Sequence, residues 1–187
     1  MICKTGLYHP RNIAIVRKFL SHKHCEILIH AFVTSRLDFC NSILSGLPQY
    51  LIEKLQYVQN SAALLLTGSR KHEHITPVLR ELHWLLVNER INFKVLFITF
   101  KALHGLAPLY LQERITIYTP VRSLRSVNKG LLVLPKYNLK SYGMRAFSVM
   151  APLLWNNLPK DIRAVNSLDI FETKVKTILF KHAYALD

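Results

Sequence analysis

Residues 46–68, "GLPQYLIEKLQYVQNSAALLLTG", carry the signals that set the architecture. Pro48 suits the first turn of a helix, where its missing N–H is not needed and its fixed φ is already helical. Leu51, Leu55, Val58, Ala62 and Leu65 then recur at three- and four-residue intervals, lining one face. Gly68 is a natural stop, because glycine takes the left-handed conformation that ends many helices without a Cβ penalty. Such a helix cannot bury its stripe alone, and the chain before it supplies partners. "NIAIVRKFL" (12–20) is apolar at Ile13, Val16 and Leu20. Ser21 can cap a following helix whose stripe includes Leu28 and Phe32. Three helices joined by short turns predict a small bundle over residues 1–68.

The rest of the chain, 69–187, also reads as mainly α. A polar linker, 69–74, leads to "TPVLRELHWL", a short helix opened by Thr76 and Pro77. Residues 87–104 form a longer helix with Ile91, Val95, Ile98 and Ala102 on one stripe and Phe93, Phe97 and Phe100 on another. A helix apolar on most sides is central and buried. Gly105 ends it, and Pro108 opens another short helix. "LLVLP" (131–135) reads as a short strand, in a hairpin with 137–142. Helix returns around Pro152, with Phe147 and Trp155 in the core. "SLDIFETKVKTILFKHAY" (167–184) is amphipathic, with Leu168, Phe171, Val175 and Ile178 facing inward. Its acids come early and its lysines late, as the helix dipole favours.

Half of the 187 residues are hydrophobic and 19% are charged, which supports a folded core and argues against disorder. The charges are lopsided: 25 Lys and Arg against 11 Asp and Glu, a net +14. That balance suits a polyanionic partner. The N-terminus has no apolar signal-peptide core, and no stretch reaches the roughly 18 apolar residues of a membrane span. Cys3, Cys25 and Cys40 are widely spaced, which suits reduced thiols in a cytoplasmic or nuclear setting.

Catalytic signatures are weak. "HKHC" (22–25) and "HEH" (72–74) lack a second ligand pair at zinc spacing, so no metal is expected. There is no Gly-rich phosphate loop and no Ser nucleophile motif, and Cys40 is expected as a buried small hydrophobe. Asp38, in "SRLDFCNS" (35–42), is the only acid between Glu26 and Glu53. Two-metal chemistry needs acids that converge, so Arg36 and Asp38 are expected to anchor a helix end or a neighbouring segment. The clearest physical signal lies in 114–160, where Arg114, Arg122, Arg125, Lys129, Lys136, Lys140, Arg145 and Lys160 occur without one acidic residue. Tyr118, Tyr137 and Tyr142 are interspersed. Cations that release counterions from phosphates, beside rings that stack on bases, are what a nucleic-acid surface requires. The basic insertion around 114–145 nominates Arg122, Arg125, Lys129, Lys136, Lys140, Arg145, Tyr118 and Tyr137.

Six strings occur in order: "HAFVTSRLDFCNSILSGLPQYLIEKLQYVQNSAA" (30–63), "TGSRKHEHITPVLRELHWL" (67–85), "ERINFKVLFITFKALHGLAPLYL" (89–111), "YTPVRSLRS" (118–126), "GLLVLPK" (130–136) and "RAFSVMAPLLWNNLP" (145–159). Together they closely resemble the C-terminal part of reverse transcriptases encoded by non-LTR (LINE-type) retrotransposons of the jockey superfamily. The likeness runs from about Tyr8 to His182. It implies that 1–68 is a thumb-like bundle that holds a template–primer duplex, and that 69–187 handles RNA and target DNA. In that family the catalytic aspartates lie in the palm, in a Tyr/Phe-x-Asp-Asp motif that does not stand in this sequence. The family's endonuclease is absent as well. Leu64, Leu86 and Met144 replace the Arg, Pro and Asp usual there, and leave the helical pattern intact.

The expectation is therefore a mainly α protein: a thumb-like three-helix bundle, then a helical segment with a small β-hairpin insertion. Its expected function is non-catalytic binding of RNA or DNA, as the remnant of an RNA-directed DNA polymerase, with no cofactor, small-molecule substrate or membrane. Two alternatives stand beside it. One is a helical protein-interaction module, and the other is a fragment of a longer, active polymerase.

Overall fold

A computed structural model of the chain describes residues 2–69, 73–120, 130–139 and 142–185. The protein is mainly helical, as expected, and no named strand occurs among the described residues. The helices are α1 Ile2–Val16, α2 His22–Ile29, α3 Ser35–Asp38, α4 Gln49–Thr67, α5 Ile75–Glu81, α6 Val87–Leu103, α7 Leu109–Gln112, α8 Phe147–Asn156, α9 Lys160–Arg163 and α10 Leu168–Ala183. The chain divides into two compact units. The first holds Met1–Asn41, Leu47–Arg90 and Phe180–Asp187, and the second holds Ser42–Gly46 and Ile91–Leu179.

The first unit is built on α4. Pro48 stands just before it, and Gly68 closes it with φ +74°, as its sequence position predicts. Arg17 reinforces that end by donating from Nη2 to the Leu66 carbonyl at 3.0 Å, which places a cation where the helix dipole is negative. Leu55, Val58 and Ala62 are buried, but so are Ile52, Gln59, Ala63 and Leu66, while Leu51 and Leu65 are only half-buried. The buried arc is wider than one stripe because α1, α2 and α5 all pack on this helix. On α1 the close approach falls at Gly6, where a Cβ would sit 2.9 Å from Val58.

In α2 the inward residues are not the expected Leu28 and Phe32. Cys25, Ile29, Val33 and Leu37 are buried, while Leu28 is half-buried and Phe32 exposed. A strict four-residue spacing overshoots a 3.6-residue turn and would drift by about 120° over three steps. The chain corrects for this with a π-helical turn at His30–Thr34, between α2 and α3, whose Ser35 N–H reaches back to the His30 carbonyl. The wider turn keeps all four side chains on the inner face.

Residues 84–87 belong with this first bundle, so the unit extends past the expected limit at 68. Gln56 accepts from the Val87 N–H and Gln59 donates to the Leu85 carbonyl, both at 2.8 Å. Tyr184 donates to the Trp84 carbonyl. Burial holds the Tyr184 phenol in its neutral form, with its pKa raised to about 12.

The second unit centres on α6. No residue from Glu89 to Leu103 is exposed, in agreement with its apolar surround. Phe100 stacks on Phe171 of α10 at 4.4 Å, and Trp155 of α8 lies 5.6 Å from the same ring. Val95, Met150 and Ala151 form a second cluster, with Phe147 packed against it. On α10 the buried series is Phe171, Val175 and Leu179. Leu168 and Ile178 are half-buried.

Candidate nucleic-acid interface

Asp38 is held by a residue far along the chain. Its carboxylate takes two hydrogen bonds from one guanidinium. Arg90 Nε donates to Oδ1 at 2.8 Å, and Arg90 Nη2 donates to Oδ2. Asn41 Nδ2 adds a longer contact to Oδ1, at 3.4 Å. This fork joins the end of α3 to the start of α6 within the first unit, so Asp38 is a clamp. Arg36 is exposed and contributes a positive field that, after burial, lowers the His9 pKa. Cys40 differs from expectation. It is exposed with φ +50°, because it makes the reversal that follows α3, whereas Cys25 is buried. Among the described residues no group of three potential ligands could hold a metal ion. No helix among them is long and apolar enough to cross a membrane.

The basic insertion falls in the second unit. The chain leaves α7 and runs extended through Thr116–Tyr118 beside Leu131–Val133. Tyr118 N–H donates to the Leu131 carbonyl at 2.9 Å, and Val133 N–H donates to Thr116 at 2.8 Å. These bonds flank a single antiparallel bridge, Ile117 to Leu132. Of the segment expected to pair with "LLVLP", 140–141 lie outside the described residues, and Leu132 pairs instead with the earlier Ile117. Leu132 is buried, which fixes which face of this ribbon turns inward.

Two consecutive side chains of α8 pin the ribbon. The Asn156 carboxamide accepts from the Leu132 N–H and donates to the Leu132 carbonyl, each at 2.9 Å. An amide carries one acceptor and one donor group side by side, so it satisfies both main-chain groups of one residue as a neighbouring strand would. Trp155 Nε1 donates to the Gly130 carbonyl at 2.9 Å, while its ring stays in the core. Arg163 then donates from Nη1 to the Asn156 carbonyl at 3.0 Å, and burial pulls its guanidinium below its usual pKa.

On this support Tyr118, Lys136 and Tyr137 are exposed, as is Arg114 at the ribbon's entry. Tyr137 meets the turn at Gly143, where a Cβ would come within 3.0 Å of its own Cβ. Arg145 is half-buried, and its Cγ would lie 2.7 Å from a Cβ on Gly46, so its stem serves packing. The four described candidates make no hydrogen bond or ion pair with one another. Arg122, Arg125, Lys129 and Lys140 lie outside the described residues. Sequence reasoning missed Asn156, whose only signal is its place beside Trp155 at the end of a helix. It missed Arg90 as well, which lies 52 residues from Asp38.

Set against family models, curated proteins and solved structures, the chain gives no match.

Proposed function

We propose that this protein binds RNA or DNA without catalysing a reaction on it, as a reverse-transcriptase-like module whose contact surface lies in the basic insertion of the second unit. The observation that carries this reading is the pinned ribbon. Arg114, Tyr118, Lys136 and Tyr137 stand exposed in a stretch of eight basic residues and no acid. A rigid anchor matters because side chains held by an ordered backbone lose less entropy on binding. Cations then supply affinity through counterion release, and tyrosines supply sequence-tolerant stacking. The sequence resemblance supports the same class of partner, and the hold of Arg90 on Asp38 supports a structural role for that acid.

The test is binding of a labelled single-stranded RNA across a salt series. The affinity is expected to fall linearly in log–log form, and the Lys136→Ala/Tyr137→Ala variant to bind more weakly than wild type. No binding at low salt overturns the reading. In that event the protein-interaction alternative takes its place, since Leu139 and Tyr142 are 63% and 73% exposed in the same stretch. Primer extension on an RNA template with Mg²⁺ tests the second clause, and incorporation above background overturns it.

A further inference from the structure

Outside the insertion, the second unit carries another cationic feature, one that α6 and α10 build together. Phe93 and Phe97 lie one helical turn apart on α6, with ring centroids 5.9 Å apart. Three ammonium groups surround them. Lys101 Nζ stands 4.7 Å from the Phe97 centroid and Lys94 Nζ stands 5.8 Å from it. Lys176 of α10 reaches over Phe93 at 5.3 Å. Lys94 and Lys101 are seven residues apart, so they lie on one face about 10 Å apart along the axis.

The charges on this shelf are unequal. Glu172 pairs with Lys176 at 2.6 Å. No carboxylate among the described residues lies within ion-pair distance of Lys94 or Lys101. Their apolar stems and ammonium groups rest on phenyl faces, which attract a cation without neutralising it. A lysine held in this way has lost much of its rotamer freedom before any anion arrives. The cations also occupy the ring faces, so bases are not offered a stacking surface there. The feature fits an anionic backbone, whatever its bases.

We infer that Lys94, Lys101 and Lys176, seated on Phe93 and Phe97, form a second nucleic-acid contact that takes the sugar–phosphate backbone of a single strand independently of sequence. This rests on the nucleic-acid reading above and assigns it a further surface. That surface reads phosphate charge, whereas the tyrosine-bearing ribbon offers stacking.

The experiment uses the full chain and two labelled 20-mers, oligo(U) and a mixed-sequence RNA, in a salt titration by fluorescence anisotropy. Lys94→Gln/Lys101→Gln keeps the stems on Phe97 and removes the charges. Lys23→Gln/Lys174→Gln removes two exposed lysines outside the shelf and the basic stretch as a control for net charge. Far-ultraviolet circular dichroism checks that each variant is folded. The shelf variant is expected to lose about ten-fold in affinity for both RNAs at low salt, with the salt slope reduced by about 1.4 for two lost contacts. Lys94→Arg/Lys101→Arg is expected to bind like wild type, since charge is what is required. A shelf variant that binds like the lysine control overturns the inference and leaves the ribbon reading standing. Loss of oligo(U) binding alone overturns sequence independence. Wild type that binds neither RNA overturns both readings.

Discussion

Asp38 is the anchor that its isolation from other acids predicts. A lone acid in a basic chain invites a catalytic reading, yet its two oxygens are occupied by Arg90. Asp38→Ala removes both charge-assisted bonds and leaves the guanidinium half-buried without its partner. The expected loss is about 1–2 kcal/mol, because the carboxylate is partly solvated. Urea unfolding measures it, and a double-mutant cycle with Arg90→Ala should show coupling rather than additivity. Tyr184 predicts a pH effect of definite sign. The unfolded chain releases the phenol proton near pH 10, whereas the folded chain holds it to about 12. Between those values the folded state binds more protons, so stability falls as pH rises. The stabilities of wild type and Tyr184→Phe should therefore converge from pH 10 to 12 in chemical denaturation.

Helices could be recognised from sequence more readily than their rotation could. Gly68 and Pro48 mark the ends of α4 by local chemistry, and both marks hold. The face does not follow so simply, because α4 is covered on more than one side and its buried set includes Ile52, Gln59 and Leu66. From α2 into α3 the sequence reading turned Leu28 and Phe32 inward, whereas Cys25, Ile29, Val33 and Leu37 are buried, a four-residue spacing that a regular helix would not keep aligned. The π turn that aligns them has no composition of its own. The Asn156 clamp was hidden for a related reason, since side-chain bonds to a backbone 24 residues away leave no periodic trace. Two substitutions test these elements. Leu55→Asp places an unpaired charge in the core of the first unit and should cost about 3 kcal/mol or more, seen as a lost or lowered melting transition. Asn156→Ala removes both bonds to Leu132 and should speed hydrogen exchange at its amide about ten-fold or more, since each bond contributes about 1 kcal/mol.

For the molecule as a whole, the net charge of +14 opposes compaction as well as inviting anions. Raising salt from 20 to 300 mM should therefore raise the melting temperature, by screening like charges, while it weakens RNA binding. Opposite responses from one titration separate the two effects. Residues 180 onward return to the first unit, where Phe180 stacks near His83 and Tyr184 bonds to Trp84. The second unit is complete once Leu179 has been added, before the first unit has received its last strip. During synthesis the later-encoded body therefore has all its parts before the earlier one does. In a series of nascent chains, protease resistance should appear in 91–179 once Leu179 has emerged, and in the N-terminal helices only once Tyr184 has emerged.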